Sequence, residues 1–495
     1  MSKNIKYLMI DLFCGAGGTS TGAEKSGLCK VIAAVNHDPI AIESHSANHD
    51  GVFHITEDVL TLDIGLLVKV VKKWKKIYPE AKLILWASLE CTNHSNAKGG
   101  LPRDPDSRAL ANGLFRYVEV LSENGEMPDY VLIENVREFM AWGDVDAKGK
   151  PLSRDKGRSY IRWCNKMRTY GYKYDHRLLC AADFGAVTIR TRYFGAFIKP
   201  GLPFAWPEQT HTKKLAKGGM FPDNRKKWRP VAEVLDLGDI GESIFDRKRK
   251  GKAPLVEKTL KRIMAGIERF HGKSQIVYHY SPGYSQPIDK PVGSVTTVPS
   301  IGLIQPILSS YYSGSHCNTT IDQPAPTIPT KDRFCLVVPW IDQQMGSTPC
   351  PMPISQPTGT VLTNPKLRLF TSFLVNPQYN NTGSPINKPA PTVIAMQRSY
   401  PLSIASCYIH GQYGQPKWFP EEGDTYTMLR LKVLMRRLGI SDIYMRMLKV
   451  IELKRIQGFP DSYVLKGPKT KQKKHIGNSV ETTVVMKWLK AIDKI

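Results

Sequence analysis

The feature that most constrains the fold is a series of four short apolar runs, each followed directly by polar residues. Stretches long enough for a helix separate the runs. Strands that alternate with helices in this way predict βαβ units, a parallel sheet and right-handed crossovers. The four runs are Tyr7–Phe13, Val31–Val35, Leu83–Ala87 and Tyr130–Ile133. The first 200 residues are therefore predicted to belong to the α/β class.

The polar clusters that follow the runs should meet at one edge of this sheet. In open α/β sheets, the crevice that binds the ligand lies at the carboxyl ends of the strands. The clusters are Asp11–Gly18, Asn36–Asp38, Glu90–Asn93 and Glu134–Asn135. Four segments that are distant in sequence are thus predicted to build a single site.

The charge balance indicates a polyanionic partner. The 495 residues carry a formal net charge of +25, and no basic amphipathic helix suggests a membrane surface, so we expect nucleic acid. No run of about 18 uncharged apolar residues is present, which excludes a membrane span. Nine cysteines without a Cys-x-x-Cys pair argue against a disulfide framework and a zinc site. We expect a reduced, cytoplasmic protein with no signal peptide and no metal.

The composition changes near Pro200, and the chain stays rich in Pro, Gly, Ser and Thr to about Pro420. A short pattern recurs in this region at spacings of 33, 33 and 32 residues. Its four copies are Lys290–Val295, Gln323–Ile328, Gln356–Val361 and Lys388–Val393. Such a period predicts repeated supersecondary units, and the Thr and Val after each Pro turn favour strands. Helical patterns return at Met428–Leu438 and Val484–Ile492.

The first polar cluster, Asp11–Gly18, is called the glycine turn below. Glycines at a strand-to-helix turn let the backbone approach a ligand, and the following helix offers free N–H groups. A dinucleotide fingerprint would require glycine where Ser20 stands. The turn therefore indicates a nucleotide-like cofactor of another kind, or a purely structural turn.

Cys91 differs from the other cysteines because it follows a predicted sheet strand into a polar turn at the crevice. A thiol in that position can act as a nucleophile, whereas we expect the other eight to be inert. Glu134 ends the next strand and brings a carboxylate to the same rim. A thiol and an acid at neighbouring strand ends suit attack on an electron-poor ring.

The motifs at both ends of the chain resemble those of the DNA (cytosine-5)-methyltransferases. They are Phe13-Cys14-Gly15-Ala16-Gly17-Gly18, Cys91, Glu134-Asn135-Val136, Arg190-x-Arg192, Arg455-Ile456-Gln457-Gly458-Phe459-Pro460-Asp461 and Ile476-Gly477-Asn478-Ser479-Val480. The resemblance implies a Rossmann-like, S-adenosylmethionine-dependent methyltransferase sheet with a large, β-rich target recognition domain. It implies a catalytic domain over 1–204, a target recognition domain over 205–442 and a C-terminal segment over 443–495 that completes the catalytic domain.

The resemblance also implies a cofactor site for S-adenosylmethionine. Phe13 would stack on the adenine, Asp58 would receive its amino group, and Asn478 would complete the pocket. The cofactor-binding residues implied in this way are Phe13, Cys14, Gly15, Ala16, Gly17, Gly18, Asn36, His37, Asp38, Asp58, Val59, Asn478 and Ser479.

The implied catalytic residues are Cys91, Glu134, Arg190 and Arg192. Cys91 resembles the nucleophile that adds to C6 of cytosine, and Glu134 the residue that binds the N3/N4 edge. The two arginines resemble the pair that supports the catalytic loop and contacts the base. The chemistry agrees, because addition at C6 makes C5 nucleophilic and a proton near N3 stabilises the charge entering the ring. The target base must leave the duplex.

The chain departs from the family pattern in four places, the first of which is a four-residue stretch around Cys91. Leu89-Glu90-Cys91-Thr92 replaces Pro-Pro-Cys-Gln, and a carboxylate beside the thiol should raise the thiol pKa. Asn36 stands where an acidic residue often binds the ribose, and nearby Asp38 is a candidate substitute. Thr188 replaces a glutamine, and Glu481 stands where proline is common. None of these changes removes a reacting group.

The resulting prediction is a monomeric DNA cytosine-5 methyltransferase of bacterial or phage type that acts on double-stranded DNA. A cognate restriction endonuclease is a further expected partner. One alternative is an RNA cytosine-5 methyltransferase, which the long middle region disfavours. Another is a catalytically silent DNA-binding regulator, suggested by Glu90 beside Cys91.

The repeats lie where the family places sequence recognition. Their Asn, Gln, Ser, Thr, Lys and Arg side chains can pair with base edges and phosphates. Arg333 and Arg398, just after two of the Pro-Thr turns, are the candidate DNA contacts. The alternative is an array that only braces or spaces the domain.

Overall fold

The fold is described from a computed structural model. It covers residues 4–89, 109–143, 156–215, 223–234 and 449–494, with shorter stretches between 236 and 445. The chain divides into two compact units. The first comprises 1–186, 190–226 and 457–495, and the second comprises 187–189 and 227–456. The N-terminal and C-terminal parts of the chain therefore fold together in the first unit.

The first unit is built on a seven-stranded sheet with the order β3-β2-β1-β4-β5-β7-β6. The first five strands of the chain are parallel to one another, and β7 runs antiparallel between β5 and β6. The strands are β1 Tyr7–Leu12, β2 Cys29–Val35, β3 Phe53–Ile55, β4 Lys82–Ser88, β5 Tyr130–Asn135, β6 Lys173–Cys180 and β7 Thr191–Ile198. This arrangement confirms the predicted α/β class and its Rossmann-like sheet.

Helices connect the strands and cover both faces of the sheet. They are α1 Gly18–Lys25, α2 Pro39–Ser46, α3 Ile64–Ile77, α4 Gly113–Glu123, α5 Arg158–Thr169, α6 Lys469–Asn478 and α7 Thr482–Ile492. Short 3-10 turns lie at Ala109–Asn112, Arg137–Ala141 and Ala181–Phe184. Local sequence explains where two of these helices begin. Asp38 caps α2 and Asp63 caps α3, each by accepting a backbone N–H, as expected for aspartate at an N-cap.

The strands β1, β2, β4 and β5 are buried on both faces, which is why they are continuous apolar runs and do not alternate. In β1, Leu8, Ile10 and Leu12 pack on one side with α3, α4 and α5. Met9 packs on the other side, where Trp488 of α7 belongs to the same core. The last helix of the chain thus completes the core that the first strand begins.

The described residues of the second unit are mainly strands. A six-stranded antiparallel sheet contains, in order, Glu242–Ser243, Ile440–Met445, Ser403–Ile409, Leu367–Val375, Trp340–Gln344 and Pro349–Pro353. Shorter strands lie at Thr188–Ile189, Gln275–Tyr278, Ser285–Pro287, Ile301–Leu303, Leu308–Ser309, Asn318–Thr319 and Ala325–Pro326. Helices lie at Tyr426–Leu438 and Val450–Ile456, and a 3-10 turn lies at Val231–Val234. The short strand His211–Thr212 belongs to the first unit, and the strand Lys226–Lys227 lies where the chain passes from the first unit to the second.

The four predicted strands and the two predicted C-terminal helices are confirmed, with boundaries shifted by one or two residues. The helix predicted at Met428–Leu438 begins at Tyr426, and the one predicted at Val484–Ile492 begins at Thr482. Much of each of the four repeats lies outside the described residues.

Candidate active site

The candidate site lies where the sheet changes direction. The chain moves outward from β1 through β2 to β3, and then returns to place β4 on the other side of β1. Ligands of open α/β sheets bind outside the carboxyl ends of the strands at such a switch point. The glycine turn follows β1 there, and the polar segments after β2 and β5 reach the same edge.

Phe13 adopts an unusual backbone conformation in the glycine turn. Its φ is 58°, the only positive φ of a non-glycine residue among the described parts of the chain. Such conformations are costly and concentrate at functional sites. The Phe13 side chain is half-buried, while Cys14 and Ala16 beside it are buried. The turn therefore presents one aromatic ring at the crevice and anchors its neighbours in the core.

The glycines of the turn have different surroundings. Gly15 has φ 53°, and a Cβ built there would meet nothing within 4 Å. A Cβ on Gly17 would lie 2.2 Å from the Tyr463 hydroxyl, and one on Gly18 would lie 2.5 Å from the Val480 carbonyl oxygen. Gly15 thus faces open space. Gly17 and Gly18, in contrast, are needed for close packing against residues 457–494, the larger part of the C-terminal segment.

The C-terminal segment is fixed to the site by contacts that sequence analysis did not assign. The buried Gln457 amide donates to the carbonyl oxygens of Ile476 and Ser479, both at 3.0 Å. Arg190 donates to the Gly477 carbonyl at 3.1 Å. Gln457 lies in a motif that sequence analysis quoted, but its bond partners 19 and 22 residues away leave no local pattern.

The turn after β2 holds Asn36, His37 and Asp38. The Asn36 side-chain oxygen accepts the Asp38 N–H at 2.9 Å, and His37 is exposed. Asp38 accepts from the Ile40 N–H at 3.1 Å, and its other oxygen lies 3.3 Å from His475 Nε2. Burial lowers the pKa of His475, although Asp38 opposes that shift. The Asp38 carboxylate is therefore engaged by the protein itself.

The loop after β3 holds the exposed Asp58 and the buried Val59. Asp58 Oδ1 accepts from the Leu60 N–H at 2.8 Å, which closes a local turn. The Tyr117 hydroxyl of α4 donates to the Val59 carbonyl at 2.6 Å. These bonds fix the loop at the edge of the crevice.

Glu134, at the end of β5, forms the electrostatic centre of the described site. Its Oε1 lies 3.4 Å from Arg192 Nε and 3.9 Å from Arg190 Nη2. Burial raises the pKa of Glu134, and the two guanidinium groups oppose that rise. No hydrogen-bond partner of Oε1 is found among the described residues. A buried carboxyl of this kind can hold or share a proton with a ligand.

Of the remaining predicted site residues, two are described and three lie outside the described residues. Asn478 is exposed at the end of α6, and Ser479 is buried directly after it. Cys91, Arg333 and Arg398 lie outside the described residues. The structure thus brings Phe13–Gly18, Asn36–Asp38, Asp58–Val59, Glu134, Arg190, Arg192 and Asn478–Ser479 to the crevice side of one unit.

Four other cysteines are described: Cys14, Cys29, Cys164 and Cys180. Burial raises the pKa of each of these thiols, so all four stay protonated near neutral pH. None of these four has the environment of an activated nucleophile.

Within the described stretches, no group of three or more His, Cys, Asp or Glu side chains could hold a metal ion. No helix in those stretches is long and apolar enough to cross a membrane.

Comparison with known proteins points to one family. The family described as C-5 cytosine-specific DNA methylase matches residues 7–494. The Type II methyltransferase M1.HphI of Haemophilus parahaemolyticus is 27% identical over 231 residues, which cover 45% of this chain and 56% of that protein. M1.ScrFI of Lactococcus lactis subsp. cremoris is 27% identical over 247 residues, covering 50% and 51%. The matches thus span about half the length of these relatives.

Among solved structures, the methyltransferase EhMeth of Entamoeba histolytica is 12% identical with a TM-score of 0.46, covering 99% of this chain and 98% of that one.

Proposed function

The chain belongs to the family of C-5 cytosine-specific DNA methylases, and on that premise we propose that it is a DNA (cytosine-5-)-methyltransferase. Its substrate is a cytosine in double-stranded DNA, and its cofactor is S-adenosylmethionine. The observation that carries the proposal is the buried Glu134, with its raised pKa and two arginines, at the same sheet edge as the glycine turn.

Cys91 is the proposed nucleophile. Its thiolate adds to C6 of the cytosine, and the electron pair of the C5–C6 double bond moves into the ring toward N3. C5 would then form a bond to the methyl carbon of S-adenosylmethionine as the carbon–sulfur bond breaks, and S-adenosylhomocysteine would leave. Loss of the C5 proton and expulsion of the Cys91 thiolate restore the double bond. The raised pKa values of the four described cysteines support this choice over those four.

Glu134 is the proposed partner of the N3/N4 edge. Because burial raises its pKa, the carboxyl can keep a proton and share it with N3 as C6 is attacked. Arg192 and Arg190 hold the group in place and keep its charged form accessible. Assistance of this kind contributes about 10²–10⁴ in rate.

The residues at the glycine turn fit S-adenosylmethionine. Phe13 offers a half-buried ring on strained backbone, and the space beside Gly15 is open. Phe13 would face the adenine, Asn36 the ribose and Asp58 the adenine amino group, with Asn478 closing the pocket. The cofactor supplies an electrophilic methyl group on a sulfonium. The chain orients it with the turn that Tyr463 and Val480 pack against.

The target cytosine must be flipped out of the duplex, which costs a few kcal/mol. We propose that residues 205–442 act as the target recognition domain and that its repeats, with Arg333 and Arg398, contact the DNA. The net charge of +25 supports a DNA partner. Both relatives are Type II methyltransferases, which supports a role beside a cognate restriction endonuclease. We further propose a monomer that acts in the cytoplasm.

Bisulfite sequencing tests the activity. Genomic DNA from cells that express the wild-type protein should show methylated cytosines within one short sequence, whereas cells with Cys91→Ala should show none. In vitro, radiolabelled methyl groups should pass to duplex DNA and not to tRNA. Transfer to tRNA alone would support the RNA alternative, and DNA binding without any transfer would support the silent regulator.

A further inference from the structure

Three histidines pack together directly behind the glycine turn. His45 lies in α2, His49 follows that helix, and His54 lies in β3. The ring centroids of His45 and His49 are 4.4 Å apart, and those of His45 and His54 are 4.9 Å apart. A Cβ on Gly17 would lie 2.8 Å from His49 Nε2, so the cluster touches the turn itself.

The hydrogen bonds of His45 have a fixed direction. The Ser20 hydroxyl donates to Asp11 Oδ2 at 2.7 Å, so its oxygen accepts from His45 Nε2 at 2.9 Å. Burial, reinforced by His49 and His54, lowers the pKa of His45 well below its usual range. His45 is therefore neutral, and its Nδ1 accepts from His54 Nε2 at 2.8 Å.

The hydrogen bonds of His49 differ from those of His45, because both of its ring nitrogens face acceptors. The Tyr463 hydroxyl donates to the Ala16 carbonyl, and the Thr21 hydroxyl donates to the Gly17 carbonyl at 2.6 Å. Both hydroxyl oxygens therefore accept from His49 Nε2, at 3.1 Å and 3.4 Å. His49 Nδ1 lies 2.9 Å from the Glu24 carboxylate, which can only accept when it is ionised. Both ring nitrogens of His49 must donate.

We infer that His49, held by the Glu24 carboxylate, positions the glycine turn for the cofactor through the Tyr463 hydroxyl. The inference rests on the proposed function, because it assigns the turn to S-adenosylmethionine. Tyr463 carries the effect into the turn through its bond to the Ala16 carbonyl. His49, Glu24 and Tyr463 act as positioning residues, since each acts through the backbone of the turn.

The experiment measures binding of S-adenosylhomocysteine by calorimetry at pH 7. Glu24→Gln should weaken binding about threefold to tenfold, because the carboxylate that accepts from His49 Nδ1 is replaced by a neutral amide. The matched control is Glu43→Gln, a change at an exposed glutamate of α2. The Glu24 side chain is 34% exposed, so its replacement should leave the fold intact.

Tyr463→Phe provides the second measurement. The ring is kept and only the hydroxyl is lost, so binding at pH 7 should weaken about threefold to tenfold, the size of one hydrogen bond. In Tyr463→Phe, adding Glu24→Gln should cause no further loss of affinity, because the hydroxyl through which His49 acts is gone. Unchanged affinity in Tyr463→Phe, or an equal loss on Glu24→Gln with and without the Tyr463 hydroxyl, would overturn the inference alone. Absence of binding by the wild type would instead contradict the proposed function and the inference with it.

Discussion

The two sides of the crevice achieve precise positioning by different physical means. On the Glu134 side, a fully buried carboxyl is held by two guanidinium groups, so charge in a low-dielectric setting controls the group. On the glycine-turn side, Gly17 and Gly18 pack so closely against Tyr463 and Val480 that no Cβ would fit, so steric fit controls the geometry. The first side should be most sensitive to changes of charge at constant size, and the second to added atoms.

The largest expected effect is on the Glu134 side. Glu134→Gln keeps the size of the side chain but removes its ability to hold or deliver a proton. Turnover should fall by two or more decades, while DNA affinity stays within about threefold. Single-turnover methyl transfer and DNA binding measure the two quantities, with the exposed Glu123→Gln in α4 as the control. A wild-type rate in Glu134→Gln would mean that another group supplies the N3 contact.

The next effect concerns the repeats, which belong to neither side of the crevice. Arg333→Ala and Arg398→Ala should leave cofactor affinity unchanged. A lost base contact should cost about 1–3 kcal/mol and relax the preference at one position, whereas a lost phosphate contact should weaken all sequences alike. Selection from a randomised duplex library at fixed salt distinguishes these outcomes. If neither variant changes affinity or preference, the repeats brace the domain.

The smallest effect separates open space from backbone strain on the glycine-turn side. Gly15 and Gly27 both have positive φ, 53° and 76°, and both face open space. Alanine at either position should therefore lower the free energy of unfolding by about 1–2 kcal/mol. Only Gly15→Ala should also weaken S-adenosylhomocysteine binding, by about threefold to tenfold, because its methyl group enters the proposed cofactor space. Urea unfolding and calorimetry give both numbers, and equal binding by the two variants would remove Gly15 from the cofactor site.

Sequence predicted the parallel strands β1, β2, β4 and β5 well because each is buried on both faces and therefore forms an uninterrupted apolar run. The end of β5 illustrates this, since Tyr130–Ile133 was predicted and the strand continues through Glu134 to Asn135. The short parallel strand β3 was missed, because it is only partly buried. The antiparallel edge was missed. β6 exposes most of its side chains, so its sequence carries no apolar run.

The supports of the site could not be predicted, because they join residues that are far apart in sequence. Tyr463 contacts Ala16 across 447 positions, and Arg190 contacts Gly477 across 287. In both bonds a side chain donates to a backbone carbonyl. Every residue carries such a carbonyl, so the sequence around the acceptor shows no distinctive pattern. His45 and His49 are four residues apart in the sequence, and that spacing was the only local sign of the cluster.

One departure from the family pattern has a structural explanation. Glu481, which stands where proline is common, accepts the Val484 N–H at 3.0 Å and so caps α7. Burial raises the pKa of this carboxyl, and Lys25 in α1 opposes the rise. The residue therefore supports the helix that completes the core.

The most direct test of the proposed reaction is capture of its covalent intermediate. Duplex DNA with 5-fluorocytosine at the target cannot lose a proton from C5, so the adduct should accumulate on the wild-type protein in the presence of S-adenosylmethionine. Peptide mass spectrometry should locate the adduct on Cys91. Cys91→Ala should form none, while Cys180→Ala, a control at a thiol whose pKa burial raises to about 11, should form as much as the wild type. A full-strength adduct on Cys91→Ala would contradict the proposed mechanism.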